Sequence, residues 1–309
     1  MKYTNNKLYV IRWLENYSFI KMPEVFVYAG ITDYWKDFAM KKMIIVLMTL
    51  SVTIFAGCAT GENTVKIDPV MNINVPDNQK RVISVSRFED RSIGTKDYAP
   101  WQQGIPDMIM ESLGAIPYYK VISREYIVKK VLKEQEFQLL GATDQKGVVE
   151  LGRLLNAQYI VVGSFSVFRE TLQINAKVMS IESGEIMVQT SKQGKLDGFY
   201  TLQNDIAITI TEGMNLAMND AAKKTLLERH DTKVVEASLA NYRGEEKLEK
   251  IQILENKAKV GKKADVALEV KKIKEEAKED FKKALDYDSE YEKAKKNLSR
   301  MALAVPMTL

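Results

Sequence analysis

Apolar and polar residues alternate through KRVISVSRFED, residues 80–90, and this pattern predicts a strand. The following RSIGTKDYAPWQQG reads as a loop from its Gly and Pro content. The period then changes. Ile105, Met108, Ile109, Leu113 and Ile116 recur at helical spacing in IPDMIMESLGAI, with Pro106 in the first turn. YYKVIS, 118–123, is a short strand. REYIVKKVLKEQEF predicts an amphipathic helix with Tyr126, Ile127, Val131, Leu132 and Phe137 on one side. DQKGVVELGRLLN is a further short helix. AQYIVVGSFSVFRE is a strand whose continuous apolar first half suits burial on both faces. TLQINAKVMSIES alternates at Leu172, Ile174, Ala176 and Val178, and Gly184 turns the chain into a second strand, EIMVQTSKQGK. TLQNDIAITITEGMNLAMNDAAKKTLLERH reads as one long helix. The order β-α-β-α-α-β-β-β-α predicts the α/β class, a mixed sheet with helices on its faces, over 80–230.

Upstream the pattern is of another kind. MKKMIIVLMTLSVTIFAGCATGENT, residues 40–64, holds two lysines, then an apolar run from Met43 to Phe55, then small Ala56 and Gly57 before Cys58. The run is about 13 residues, short of the roughly 20 that span a bilayer as a helix. Residues 40–57 therefore read as a secretory signal; a buried core helix or a short membrane span is the plainer alternative. FAGC resembles a bacterial lipobox, which makes Cys58 the expected site of lipidation and accounts for a chain with a single cysteine. With one thiol no intrachain disulfide can form. Two or three acyl chains on one cysteine anchor firmly, whereas one binds marginally. Residues 1–39 lack periodicity ahead of the signal. The expectation is that translation starts at Met40 or Met43, the alternative being a cytoplasmic extension. Residues 58–79, polar with two prolines, read as a flexible tether.

After His230 the composition shifts to Lys, Glu and Ala. In 231–309, FKKALDYDSEYEKAKKNLSRM resembles a tetratricopeptide-type helical hairpin, through Phe281, Ala284, Leu285, Ala294 and Leu298. One and a half such repeats cannot bury a core alone, so the hairpin packs on the preceding domain, on a second copy or on a partner. The alternative is a solvated charged pair.

Charge excludes some functions. The net charge is +4, from 45 basic and 41 acidic residues that alternate along the chain, which gives no footprint for nucleic acid. The single histidine, His230, reads as a charge partner at a helix end ahead of a ligand or base. Phosphate loops, zinc-ligand spacing and triads are missing from the sequence, so the expectation is a non-enzyme with no cofactor and no metal. Glu89 and Asp90 end a strand; they cap the next loop or bind a cation.

Four pieces in order carry a family resemblance: RVISVSRFED, then VISRE ahead of LKEQEF, then LGRLLNAQYIVVGS, then VMSIESGEI. Together they resemble the curli-secretion CsgG lipoproteins over roughly 80–225. Each also has a plain architectural meaning, such as Ser123 as a helix N-cap. The resemblance implies an envelope lipoprotein at the periplasmic face of the outer membrane, held by lipid on Cys58. It would work in assembly or secretion through protein partners, a homo-oligomer among them. It maps the constriction loop of the family's pore onto RSIGTKDYAPWQQG. Tyr98 and Trp101 are then candidate exposed aromatics of an interaction loop, or fold back on the sheet edge. The family's membrane hairpins have no room here: RET and SKQGKLDGFYT stand in their places, and a spanning strand needs about 9–11 residues. A tethered, LpoB-like activator of peptidoglycan synthesis and a subunit of an oligomeric secretion channel are the alternatives.

Overall fold

Ile83 to Phe88 are buried but for Arg87, and this stretch lies in the second strand of a five-stranded sheet. The computed structural model describes residues 71–94, 97–134, 136–142, 144–258 and 263–303. Cys58, the 1–57 segments and most of the 58–79 tether lie outside them, as does the side chain of Phe137.

The strands are β1 (Arg81–Asp90), β2 (Tyr119–Val121), β3 (Tyr159–Phe168), β4 (Thr171–Ser180) and β5 (Ile186–Lys195). Their order is β2-β1-β3-β4-β5. β1 runs parallel to β2 and β3, and β3-β4-β5 is an antiparallel meander, so the sheet is mixed as the pattern predicts. On one face Val161, Phe165 and Val167 stand level with Val178, Ile174 and Leu172 in neighbouring register, all fully or nearly fully buried. That face is covered by α1 (Trp101–Gly114) and α4 (Phe199–Gly213). Between them in sequence lie α2 (Arg124–Glu134) and α3 (Gln145–Leu154).

The meander turns are tight. Arg169 and Glu170 alone join β3 to β4, with Arg169 at φ 55°. Gly184 sits at φ 73° between β4 and β5, and its N–H donates to the Ser180 carbonyl at 2.9 Å. A 3-10 turn, Leu196–Gly198, leads straight from β5 into α4. Neither connection leaves room for an inserted hairpin.

Three details differ from the pattern. First, α1 begins at Trp101, before Ile105, and Pro106 lies inside it. Eleven of its fourteen residues are buried, so tertiary packing outweighs the lost N–H. Second, α2 buries Ile127, Val128 and Val131, while Tyr126 is exposed. Third, the long helix expected over 201–230 is two: α4 ends at Gly213, Asn215 takes φ 59°, and α5 (Asp220–Glu228) starts afresh. Asn219 caps it, its side chain accepting from the Ala222 N–H at 2.7 Å.

The C-terminal residues form α6 (Val235–Ala258), α7 (Lys263–Tyr287) and α8 (Glu292–Leu303). Phe281, Ala284 and Ala294 are fully buried, and the hairpin packs on α6, which itself enters the main core through Val235, Leu239 and Tyr242. The described residues thus fall in one compact unit, Lys66–Leu309. α6 approaches α1 closely at Gly104, where an added Cβ would lie 2.6 Å from the Tyr242 ring. Gly104→Ala is expected to destabilise by about 1–3 kcal/mol through overpacking. Urea unfolding reads this directly; an unchanged midpoint would show that the two helices are free to separate.

Candidate functional site

Asp90 ends β1, and its Oδ1 accepts the Ser92 N–H at 2.8 Å, so this carboxylate caps the loop. Glu89 accepts from Arg91 at 2.6 Å. Among the described residues no group of three or more His, Cys, Asp or Glu side chains could hold a metal ion. His230 lies just past the end of α5; its Nδ1 donates to the Glu228 carbonyl at 2.7 Å, and its ring leans on Tyr200.

The expectation of exposed aromatics in the 91–104 loop is corrected. Trp101 is fully buried and Tyr98 is 7% exposed. The indole packs 5.2 Å from the Phe199 ring, 5.8 Å from Tyr98 and edge-on to Phe165 at 6.5 Å. Its Nε1 donates to Ser238 Oγ of α6 at 3.0 Å. A large apolar ring system with one satisfied polar atom is driven inward, and here it ties sheet, α4 and α6 together.

What remains accessible lies at the end of β1, where Glu89 is exposed and Asp90 half-buried. β2 pairs only with Arg81–Ile83, so from Ser84 onward β1 has a strand neighbour on one side only, β3. A bulge between Val85 and Phe88 interrupts the β3 pairing. Beside the end of β1 lies a groove of about 330 Å3. Its floor is Arg87 to Asp90; Gln102 of α1, Glu249 of α6, and Leu140 and Gly141 of the 3-10 turn Phe137–Gly141 make its walls.

Arg87 anchors this groove. Its Nη2 donates to Gln103 Oε1 and to Glu249 Oε1, each at 2.9 Å, and its Nη1 reaches Glu246 at 3.3 Å. Burial works against the guanidinium charge, but Glu249 and Glu246 outweigh it and hold its pKa above the ordinary value. Burial pushes the Glu246 carboxyl up, with Arg87 partly opposing. Glu249 is 7% exposed, and its Oε2 has no hydrogen-bond partner.

A second polar cluster fixes the C-terminal helices to α1. Lys293 of α8 donates to Glu111 Oε1 at 2.6 Å and to Tyr242 Oη at 3.0 Å. Asn297 donates to Asn241 Oδ1 and Glu245 Oε1. Burial opposes the Lys293 charge, yet Glu111, Tyr242 and Glu245 keep its pKa well above the usual lysine value. Such a matched cluster orients one layer on another, since each misplacement strands a charge.

The groove combines residues 87–90, 102, 140–141 and 249. Of these the sequence singled out only Glu89 and Asp90. The others share no motif, and they meet only when α1, α6 and the 3-10 turn pack beside the end of β1.

No curated protein matches this chain. Among solved structures it is similar to the LpoB C-terminal domain from Salmonella enterica, at 14% identity and TM-score 0.29, over 40% of this chain and 86% of that one. It is also similar to lipoprotein GNA1162 from Neisseria meningitidis, at 13% identity and TM-score 0.30, over 37% and 79%. The PelC dodecamer from Paraburkholderia phytofirmans aligns at 9% identity and TM-score 0.30, over 46% and 92%. Residues 72–173, from the approach to β1 into the start of β4, match the CsgG family, the curli production assembly/transport component. The matched residues, 102 of the 309, run through β1, α1, β2, α2, α3 and β3 in the order read from the sequence.

Proposed function

We propose that this protein is a non-enzymatic lipoprotein of the cell envelope. Its CsgG-family domain faces the periplasm at the outer membrane and acts in assembly or secretion through protein–protein contacts. The observation that carries this reading is the family match over 72–173, downstream of a signal-like run that ends at the only cysteine, Cys58. Lipid on Cys58 supplies the membrane attachment, and 59–79 supply the reach. No described helix is long and apolar enough to cross a membrane. The partner meets the folded domain on its surface, where the end of β1 offers a groove.

Cys58→Ala tests the attachment. Cells fed a labelled fatty acid should label the wild-type chain and not the variant, and the variant should leave the outer-membrane fraction. An unlabelled wild-type chain, or a variant that stays in that fraction, would overturn the lipid anchor.

A further inference from the structure

The sheet ends on β5. Leu196 N–H donates to the Glu170 carbonyl at 2.8 Å, and the register with β4 continues from that pair at every second residue, through Gly194, Lys192, Thr190 and Val188. In an antiparallel ladder the alternate residues point their backbone groups the other way. Those of Gln189, Ser191, Gln193 and Lys195 therefore turn away from β4, and all four residues are exposed. A bulge interrupts the pairing near Ile186 and Met187, so the regular edge runs from Gln189 to Lys195. α4 packs on one face of the strand and holds the Lys192 ammonium at 2.9 Å through Asp205. Exposed strand edges accept a further strand.

This edge is complementary to itself. On the face turned away from α4 a ladder of amides and hydroxyls crosses the strands. Asn175 Nδ2 donates to Ser164 Oγ at 3.4 Å, and Gln173 Nε2 donates to Asn175 Oδ1 and to Ser191 Oγ, each at 3.2 Å. The ladder stops at Ser191, on the edge. Two copies of β5 set antiparallel about a two-fold axis at Ser191 carry it on, with serine opposite serine and Gln189 opposite Gln193. Charge favours the same orientation. Glu182 and Glu185 precede the strand, both exposed, and Lys192 and Lys195 lie in its second half. Antiparallel pairing brings the lysine end of one copy toward the glutamate end of the other, whereas parallel pairing sets like charge beside like. Lys195 then stands opposite Met187 of the second copy, 49% exposed, and its methylenes cover that thioether.

We propose that β5 pairs with β5 of a second copy of this chain, antiparallel about Ser191, and joins two five-stranded sheets into one. The contact is short. Lipid on Cys58 supplies what it lacks, because chains held on one surface meet at a raised effective concentration. The proposal rests on the reading of a tethered chain that works through protein contacts, and it names one such contact.

The test is thiol cross-linking in membranes of cells that make the full chain. Ser191→Cys sets two thiols across the axis, with Cα atoms about 5.5 Å apart, within reach of a disulfide. Lys195→Cys sets them roughly 27 Å apart, at about 3.4 Å per residue along the strand. The wild-type chain, whose only cysteine is Cys58, is the blank. Oxidation should join Ser191→Cys chains into dimers, mapped to position 191 by peptide mass, at about tenfold the yield of Lys195→Cys or more. Two charge pairs, each added to Ser191→Cys, test the register. Gln189→Glu with Gln193→Glu places like charges opposite each other and should lower the yield about tenfold. Gln189→Glu with Gln193→Lys places unlike charges there and should keep it. Both positions are exposed, so neither pair should move the melting temperature. Equal yields at 191 and 195, a yield indifferent to the charge pairs, a product joined to a different protein, or no dimer at all would overturn the proposal. The mass of the mature chain, read in the same samples, reports the lipid, so a lost anchor and a lost interface are told apart.

Discussion

Trp101→Ala is expected to lose about 3–5 kcal/mol of folding stability, the range for emptying a large aromatic site in a core. The side chain is fully buried where the sheet, α4 and α6 meet. A cavity between three elements cannot collapse without moving one of them, so the loss belongs at the upper part of that range. The substitution also leaves Ser238 Oγ without its donor. Trp101→Phe keeps much of the ring volume and loses the hydrogen bond, and should cost about 1–2 kcal/mol. Urea unfolding should lower the midpoint for both variants with little change in slope. A Trp101→Ala protein as stable as the wild type would mean that the indole is not the joint described.

Arg87→Ala is the second large effect, again about 3–5 kcal/mol, because removing one partner strands the others. Glu249 would lose its hydrogen-bonded cation while remaining inside, and Glu246 its ion pair. The loss should depend on pH. Burial already raises the Glu246 carboxyl above its ordinary value of 4.5, and Arg87 is the group that opposes that rise, so its removal pushes the carboxyl further up. A carboxyl whose pKa is higher folded than unfolded binds more protons in the folded state. Its penalty is full above the folded pKa and fades as pH falls toward the unfolded value. The gap between Arg87→Ala and wild type should therefore narrow on acidification. A gap that is constant with pH would mean that the lost arginine acts by packing alone.

The elements were legible where local chemistry decides them. Ser123 stands one residue before α2 and accepts the Tyr126 N–H at 3.3 Å. Gly184 takes the positive φ of its hairpin. The alternation at Leu172, Ile174, Ala176 and Val178 is the buried face of β4. The split between α4 and α5 was written in the chain as well, in Gly213, Asn215 and Asn219, but the apolar period on both sides masked it. Other features depend on distant partners. Trp101 reads as a loop aromatic until Ser238 and Phe199 are brought to it. Arg87 looks like a solvent-facing residue of an alternating strand until α6 brings Glu246 and Glu249 beside it. The groove exists because Gln102, Leu140, Gly141 and Glu249 reach the end of β1 from three other elements, which no local pattern sets.

The most direct test of the account is the mass of the protein extracted in detergent from the membranes of cells that make it, by native mass spectrometry. The account predicts a mature chain that begins at Cys58 and carries added acyl mass, in a protein assembly or released from one as the detergent is exchanged. A lipidated ring would favour the secretion role, and a lipidated monomer or dimer a tethered activator. An unmodified chain that begins at Met1 would contradict it.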